Sequence, residues 1–184
     1  MAYWTDVGSS TIKRLHLNTS KEELLMNGCI ADSTPDGIAL DIHSRLLFYT
    51  DTGKKVIGVT SLDISYHATL ISKGLDQPRA IAADPGRGYI YWSDWGLQSS
   101  IKKARMDGSG QQVVVNTGIG HWPNGLTLDA YGQVLYWCDA RADSINSVDL
   151  VLLRTTVVHR KKGSHFFGIT HLGDDLFFSD WTKR

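Results

Sequence analysis

The chain has 184 residues, enough to bury a good core as one domain. Its 19 Lys and Arg balance 19 Asp and Glu, which argues against nucleic acid or an anionic membrane surface as the main partner. No apolar stretch approaches a membrane span, and no signal peptide is expected because the chain enters a repeat at Tyr3.

Taken in chain order, one four-residue pattern recurs five times: Tyr3-Trp4-Thr5-Asp6, Phe48-Tyr49-Thr50-Asp51, Tyr91-Trp92-Ser93-Asp94, Tyr136-Trp137-Cys138-Asp139 and Phe177-Phe178-Ser179-Asp180. The aspartates are 45, 43, 45 and 41 residues apart. Such a period means one supersecondary unit repeated in space. A second pattern precedes the first: Pro35-Asp36-Gly37-Ile38-Ala39-Leu40-Asp41, Pro78 to Asp84, Pro123-Asn124-Gly125-Leu126-Thr127-Leu128-Asp129, and a degenerate copy from Phe166 to His171. Turn signals such as Asp84-Pro85-Gly86 separate the two, so they read as antiparallel strand pairs.

A third apolar run follows each motif (Ile12 to Leu17, Val56 to Leu62, Ile101 to Met106, Ile145 to Leu150). A fourth follows that (Leu24 to Met26, Ala68 to Ile71, Gln112 to Val115, Thr156 to Val158), with Asp107-Gly108-Ser109-Gly110 as the clearest hairpin turn. Four-stranded meanders at this period predict the blades of a β-propeller. The predicted organisation is strands two to four of one blade over 1–27, full blades over 35–73, 78–117 and 123–163, and strands one and two of another over 165–184. Adjacent aromatics on the motif strand point to opposite faces, which suits a strand covered on both sides. The motif residues are therefore expected to cement blades rather than to catalyse. The basic run Arg160-Lys161-Lys162 reads as a solvated surface turn.

Cys29 and Cys138 form neither CxxC nor a zinc spacing, and Cys138 is expected to be a small buried hydrophobe rather than half of a disulfide. Asn18-Thr19-Ser20 is an N-glycosylation sequon, meaningful in a secreted chain. No metal ligand set, cofactor motif or catalytic residue is assigned: HExxH, GxSxG and phosphate-loop patterns are absent from the sequence.

A meander places the start of strand one and the end of strand two at the same end of a blade. One face should therefore gather Arg79, Trp122, Asn124, His165, Phe166 and Phe167 with Trp95 and Trp181, while the opposite face is mostly small and polar. Trp and Arg dominate interface hot spots, so the tryptophan face is the candidate protein- or peptide-binding surface. The competing reading is that Trp95 and Trp181 pack on adjacent blades and that Asn124 is a turn residue before Gly125. His121 and His165, near this face, are the candidate pH-switch residues, against a plain surface or core role; His171 falls in a first strand.

The five motifs resemble the YWTD-repeat propeller of the low-density-lipoprotein receptor and its relatives, over nearly the whole chain. Leu75-Asp76-Gln77-Pro78-Arg79-Ala80-Ile81, Tyr91 to Gly96 and Trp122 to Thr127 look most like the Wnt-co-receptor and agrin-receptor branch, and nidogen's propeller is similar too. The resemblance implies a six-bladed all-β propeller of which this chain is an incomplete part, with exposed sheet edges and marginal stability or aggregation when alone. A four-bladed closure would leave the last strand surplus. It also implies an extracellular receptor ectodomain or a matrix protein, neighbouring EGF-like modules, a membrane span elsewhere, an extended ligand over the hub with a ligand asparagine received at Asn124, and release in acidic endosomes. A lactonase-like hydrolase, with Asn124 and Asp36 near a hub calcium, is the enzymatic alternative, but the first strands offer few carboxylates. WD40 is disfavoured because a spacer separates the aromatic pair from the aspartate and no Gly-His opens the repeats.

Overall fold

The computed structural model describes residues 1–27 and 32–183; Cys29 lies outside them. Among these residues the regular elements are strands, arranged in five antiparallel sheets. Sheet I holds β1 (Ala2–Asp6), β2 (Thr11–His16) and β3 (Lys21–Asn27). Sheet II holds β4 (Pro35–Asp41), β5 (Leu46–Asp51), β6 (Val56–Ser61) and β7 (His67–Ile71). Sheet III holds β8 (Pro78–Asp84), β9 (Tyr89–Asp94), β10 (Ser99–Arg105) and β11 (Gln112–Gly118). Sheet IV holds β12 (Pro123–Asp129), β13 (Val134–Asp139), β14 (Ser144–Asp149) and β15 (Thr155–Arg160), and sheet V holds β16 (Phe166–Leu172) and β17 (Asp175–Asp180).

Each sheet is a meander in which chain neighbours pair, and β4, β8, β12 and β16 lie side by side as the inner ring. The chain is thus an incomplete propeller of three full blades and parts of two. Among the described residues no strand of sheet I pairs with one of sheet V, so they form no four-bladed closure.

Core clusters lie between the sheets rather than within them. Phe48, Ile57, Val59 and Ile71 of sheet II meet Ile81, Ile90 and Trp92 of sheet III. On the other side of sheet III, Ala82, Tyr91 and Ile101 meet Leu126, Leu135, Trp137 and Val148 of sheet IV. Tyr91 and Trp92 are adjacent in sequence yet enter opposite clusters, because alternate side chains leave opposite faces of a strand. Burial pushes the Tyr91 phenol up to about 12, with the Asp84 charge adding to the effect.

Polar motif residues bind the blades where the rings do not reach. The third-position hydroxyl works in two directions: Thr50 Oγ1 accepts from Gly37 N–H of its own sheet at 2.9 Å and donates to the Arg79 carbonyl of the next. Ser93 Oγ does the same between Ala80 N–H at 3.1 Å and the Asn124 carbonyl at 3.4 Å. Cys138 takes this place in sheet IV, fully buried and free, with Sγ 3.8 Å from the Gly168 carbonyl. Burial, then the neighbouring Asp139, pushes its thiol up to about 12. The first strands approach so closely that a Cβ on Gly125 would lie 2.5 Å from the Phe167 carbonyl oxygen.

The motif aspartates hold the inter-blade linkers. Asp51 accepts from Thr34 N–H and Ser33 Oγ, and Asp94 from Asp76 N–H and Gln77 N–H. The strand-one aspartates Asp41 and Asp129 instead cap their own turns. The outer strands run longer than the apolar pattern predicts, β3 and β15 most clearly. Every residue of β15 is exposed, so pairing rather than burial fixes its length, and apolar runs do not mark it.

Candidate ligand-binding face

At one end of the blades, loops preceding first strands and residues following second strands converge. Trp95 and Trp181 each follow a motif aspartate, and their backbone N–H groups bond the carbonyls of Gln77 and His165 in the preceding linkers. This arrangement stacks side chains from sheets III to V into one ladder. The Arg79 guanidinium lies 4.2 Å from the Trp95 ring centroid. Trp95 stacks on Trp122 at 5.9 Å, Trp122 meets His165 at 6.4 Å, and His165 stacks on Trp181 at 5.4 Å with planes 7° apart. Phe167 closes the ladder on Trp181 at 4.1 Å. Trp122 and Trp181 remain 39% and 63% exposed, so indole surface faces solvent across two blades.

Six of the sequence-derived residues, Arg79, Trp95, Trp122, His165, Phe167 and Trp181, therefore sit together. Phe166 does not join them. It is 1% exposed and packs with Cys138 and Ile145, because alternation on β16 turns it into the core as Phe167 turns out. Asn124 is also buried, at 4% exposure; its Nδ2 donates to the Phe166 carbonyl at 3.4 Å and its Oδ1 has no partner. It lines the hub opening, a cavity of about 110 Å³, with Asp36, Arg79 and Phe167. Trp95 serves its neighbour as well as the ladder: its Nε1–H donates to the Pro123 carbonyl at 2.7 Å.

Asp36, the acid considered for calcium, faces Arg79, whose Nε lies 2.9 Å from Oδ2 in an ion pair without hydrogen-bond geometry. Burial pushes the Asp36 carboxyl up, opposed by that guanidinium. An arginine in this position competes with a cation. Among the pH-switch candidates, His121 Nδ1 lies 2.5 Å from Asp139 Oδ2, while His165 stands between two indoles. His171 stacks on Tyr136 between sheets IV and V, away from the ladder. Asn18 is exposed in the turn joining β2 and β3. Sequence reasoning missed Arg141, whose guanidinium lies 5.4 Å from the Trp122 centroid; a lone arginine in the turn after Asp139 carries no pattern to find it by.

The chain is thus an incomplete all-β propeller with paired aromatics on its second strands and an indole ladder at one end. The model for the low-density lipoprotein receptor repeat class B matches residues 3–42 and 88–130. The chain is 40% identical over 179 residues to the human low-density lipoprotein receptor-related protein 5-like protein, covering 97% of this chain and 70% of that one. It belongs to the low-density lipoprotein receptor class B repeat family. The Drosophila melanogaster vitellogenin receptor Yl is 33% identical over 187 residues, 99% of this chain but only 9% of that receptor. Among solved structures, the nidogen/laminin complex aligns with a TM-score of 0.88 and 32% identity, over 98% of this chain and 67% of that one. A Xanthomonas campestris gluconolactonase aligns with a TM-score of 0.77 at 18% identity, over 96% of this chain and 65% of that one, a likeness of fold alone.

Proposed function

We propose that this chain is an extracellular, non-enzymatic module of a low-density-lipoprotein-receptor-related receptor, of endocytic or Wnt/agrin-type signalling, that holds a secreted protein or peptide on its aromatic face. The observation that carries this reading is the ladder from Arg79 through Trp95, Trp122, His165 and Trp181 to Phe167, beside the open hub. Stacked, half-exposed indoles offer large contact area at little entropic cost, and the flanking guanidiniums add polar anchors. Asn124 Oδ1, buried without a partner, is an acceptor that a ligand amide at the hub can satisfy. Cell-surface placement, a glycan at Asn18, EGF-like neighbours and acid-triggered release through His121 and His165 belong to the same proposal.

The test is ligand affinity in the complete receptor ectodomain. Trp122→Ala combined with Asn124→Ala is expected to weaken binding by at least tenfold while the propeller still folds, as judged by circular dichroism. Unchanged affinity of the folded double variant removes the site assignment. A matrix role is the second reading, favoured by the likeness to nidogen in its laminin complex. Binding of the isolated propeller to laminin would support it.

A further inference from the structure

The basic run Arg160-Lys161-Lys162 lies at the ladder end of the molecule. It closes β15 and opens the linker that crosses from the outer strand of sheet IV to the inner strand of sheet V, where His165 enters the ladder. Backbone bonds fix this linker. Lys161 N–H donates to the Asp143 carbonyl at 3.0 Å, Gly163 N–H to Asp143 Oδ2 at 2.8 Å, and Ser164 N–H to the Lys161 carbonyl at 3.1 Å. Gly163, at φ 78°, takes the left-handed conformation that closes the turn, and both lysines stand exposed on it.

Lys183 joins them from sheet V, where its own N–H donates to the Asp180 carbonyl at 3.2 Å in the turn after β17. Contact with the Lys183 ammonium, then its charge, lowers the Lys161 pKa. Like charges held together repel, and an anion between them relieves that repulsion. The nearby carboxylates are committed to the backbone. Asp139 and Asp180 side chains are only 2% and 8% exposed and accept the N–H groups of Trp122 and His165, while Asp143 holds Gly163. Lys183 Nζ stands no nearer than 3.8 Å to Asp180 Oδ2. Elsewhere Arg14, Lys55, Arg79, Arg87 and Lys102 face carboxylates at 2.5 to 3.4 Å. Among the described residues the Arg160 and Lys162 side chains have no such partner, and the Arg141 guanidinium has the Trp122 ring but no carboxylate. A track of cations therefore runs from the rim at Arg160 over Lys161, Lys162 and Lys183 to the exposed ring of Trp181.

We propose that this track binds a sulfated polysaccharide. Exposed charges in a row suit a linear polyanion. Ammoniums are compact point charges that take a sulfate from many directions, whereas a carboxylate is matched best by the planar fork of arginine. The Trp181 indole gives a sugar ring an apolar surface to lie on. The cellular source of the polymer rests on the extracellular placement proposed above. The complex itself forms or fails in vitro independently of any protein ligand on the aromatic face.

The test is a tryptophan-fluorescence titration of the 184-residue chain, at submicromolar concentration, with a heparin octasaccharide. A Kd of about 10 µM or tighter is expected at ~0.15 M NaCl, weakening as salt rises. Fully desulfated heparin, which keeps its carboxylates, should not bind. Lys161→Gln, Lys162→Gln and Lys183→Gln together should weaken the complex about tenfold or more and lower the slope of log affinity against log salt by about two. Their melting midpoint should stay unchanged, because all three side chains are exposed. Lys103→Gln, Arg105→Gln and Arg154→Gln together remove the same charge from β10 and the β14–β15 turn and should leave affinity unchanged. Equal losses in the two triple variants would mean diffuse ion pairing and overturn the proposal. So would equal binding of desulfated heparin, or no binding at about 200 µM octasaccharide. Poly-L-glutamate bound as tightly at matched charge would reassign the track to an acidic protein segment, and phosphatidylserine vesicles bound as tightly would reassign it to a membrane; either result overturns the proposal as well.

Discussion

Thr50 shows how much one small side chain carries here. Its hydroxyl is fully buried, accepts from Gly37 N–H and donates to the Arg79 carbonyl of the next sheet. Thr50→Val keeps the shape and strands both backbone groups, so it is expected to cost about 2 kcal/mol in urea unfolding. A cost near zero would mean that water or a relaxed backbone replaces both bonds. At Cys138 a thiol holds the same position with a weaker contact, which makes the junction of sheets IV and V the less firmly bolted one. The identities of these residues were legible as motif positions. Their partners were not, because the carbonyl each hydroxyl meets lies 29 to 31 residues away on another blade.

At the scale of elements, each blade is closed by its aspartate. Asp94 is buried beside Lys102 and accepts the two linker N–H groups of Asp76 and Gln77. Asp94→Asn leaves the lysine without its partner and is expected to cost about 3 kcal/mol, read as a lowered denaturant midpoint. The β2–β3 hairpin has a half-buried counterpart in Glu23, held down at about 2 by Lys21, then Arg14 and His16. A carboxyl depressed on folding contributes stability above its unfolded value and loses it as pH falls through the folded one. The unfolding midpoint is therefore expected to drop more steeply between about pH 5 and 2.5 in the parent than in Glu23→Gln. Parallel pH profiles would show that the triad of cations contributes nothing. First, second and third strands were readable because burial on both faces makes them apolar. Outer strands such as β15 were readable only in part, because exposed residues carry no period.

At the scale of the molecule, sheet V ends at β17 with Phe177 and Phe178 exposed at 54% and 46%, and the outer edge of β17 has no paired strand among the described residues. Exposed rings on both faces of a strand at an open edge are a template for association. The 184-residue chain expressed by itself is expected to self-associate in sedimentation velocity, and replacing both phenylalanines by serine should reduce that association. A monodisperse monomer with one cooperative melting transition would contradict this expectation.

The sequence by itself determined the architecture and the end at which aromatic residues gather. A fixed period of paired rings and aspartates allows few alternatives once every strand must be covered on both sides. Tertiary structure alone decided which members of that face are available. One-residue alternation on β16 separates buried Phe166 from stacked Phe167, and close approach of first strands buries Asn124. Both outcomes depend on contacts between blades, and neighbours across blades are not adjacent in the chain.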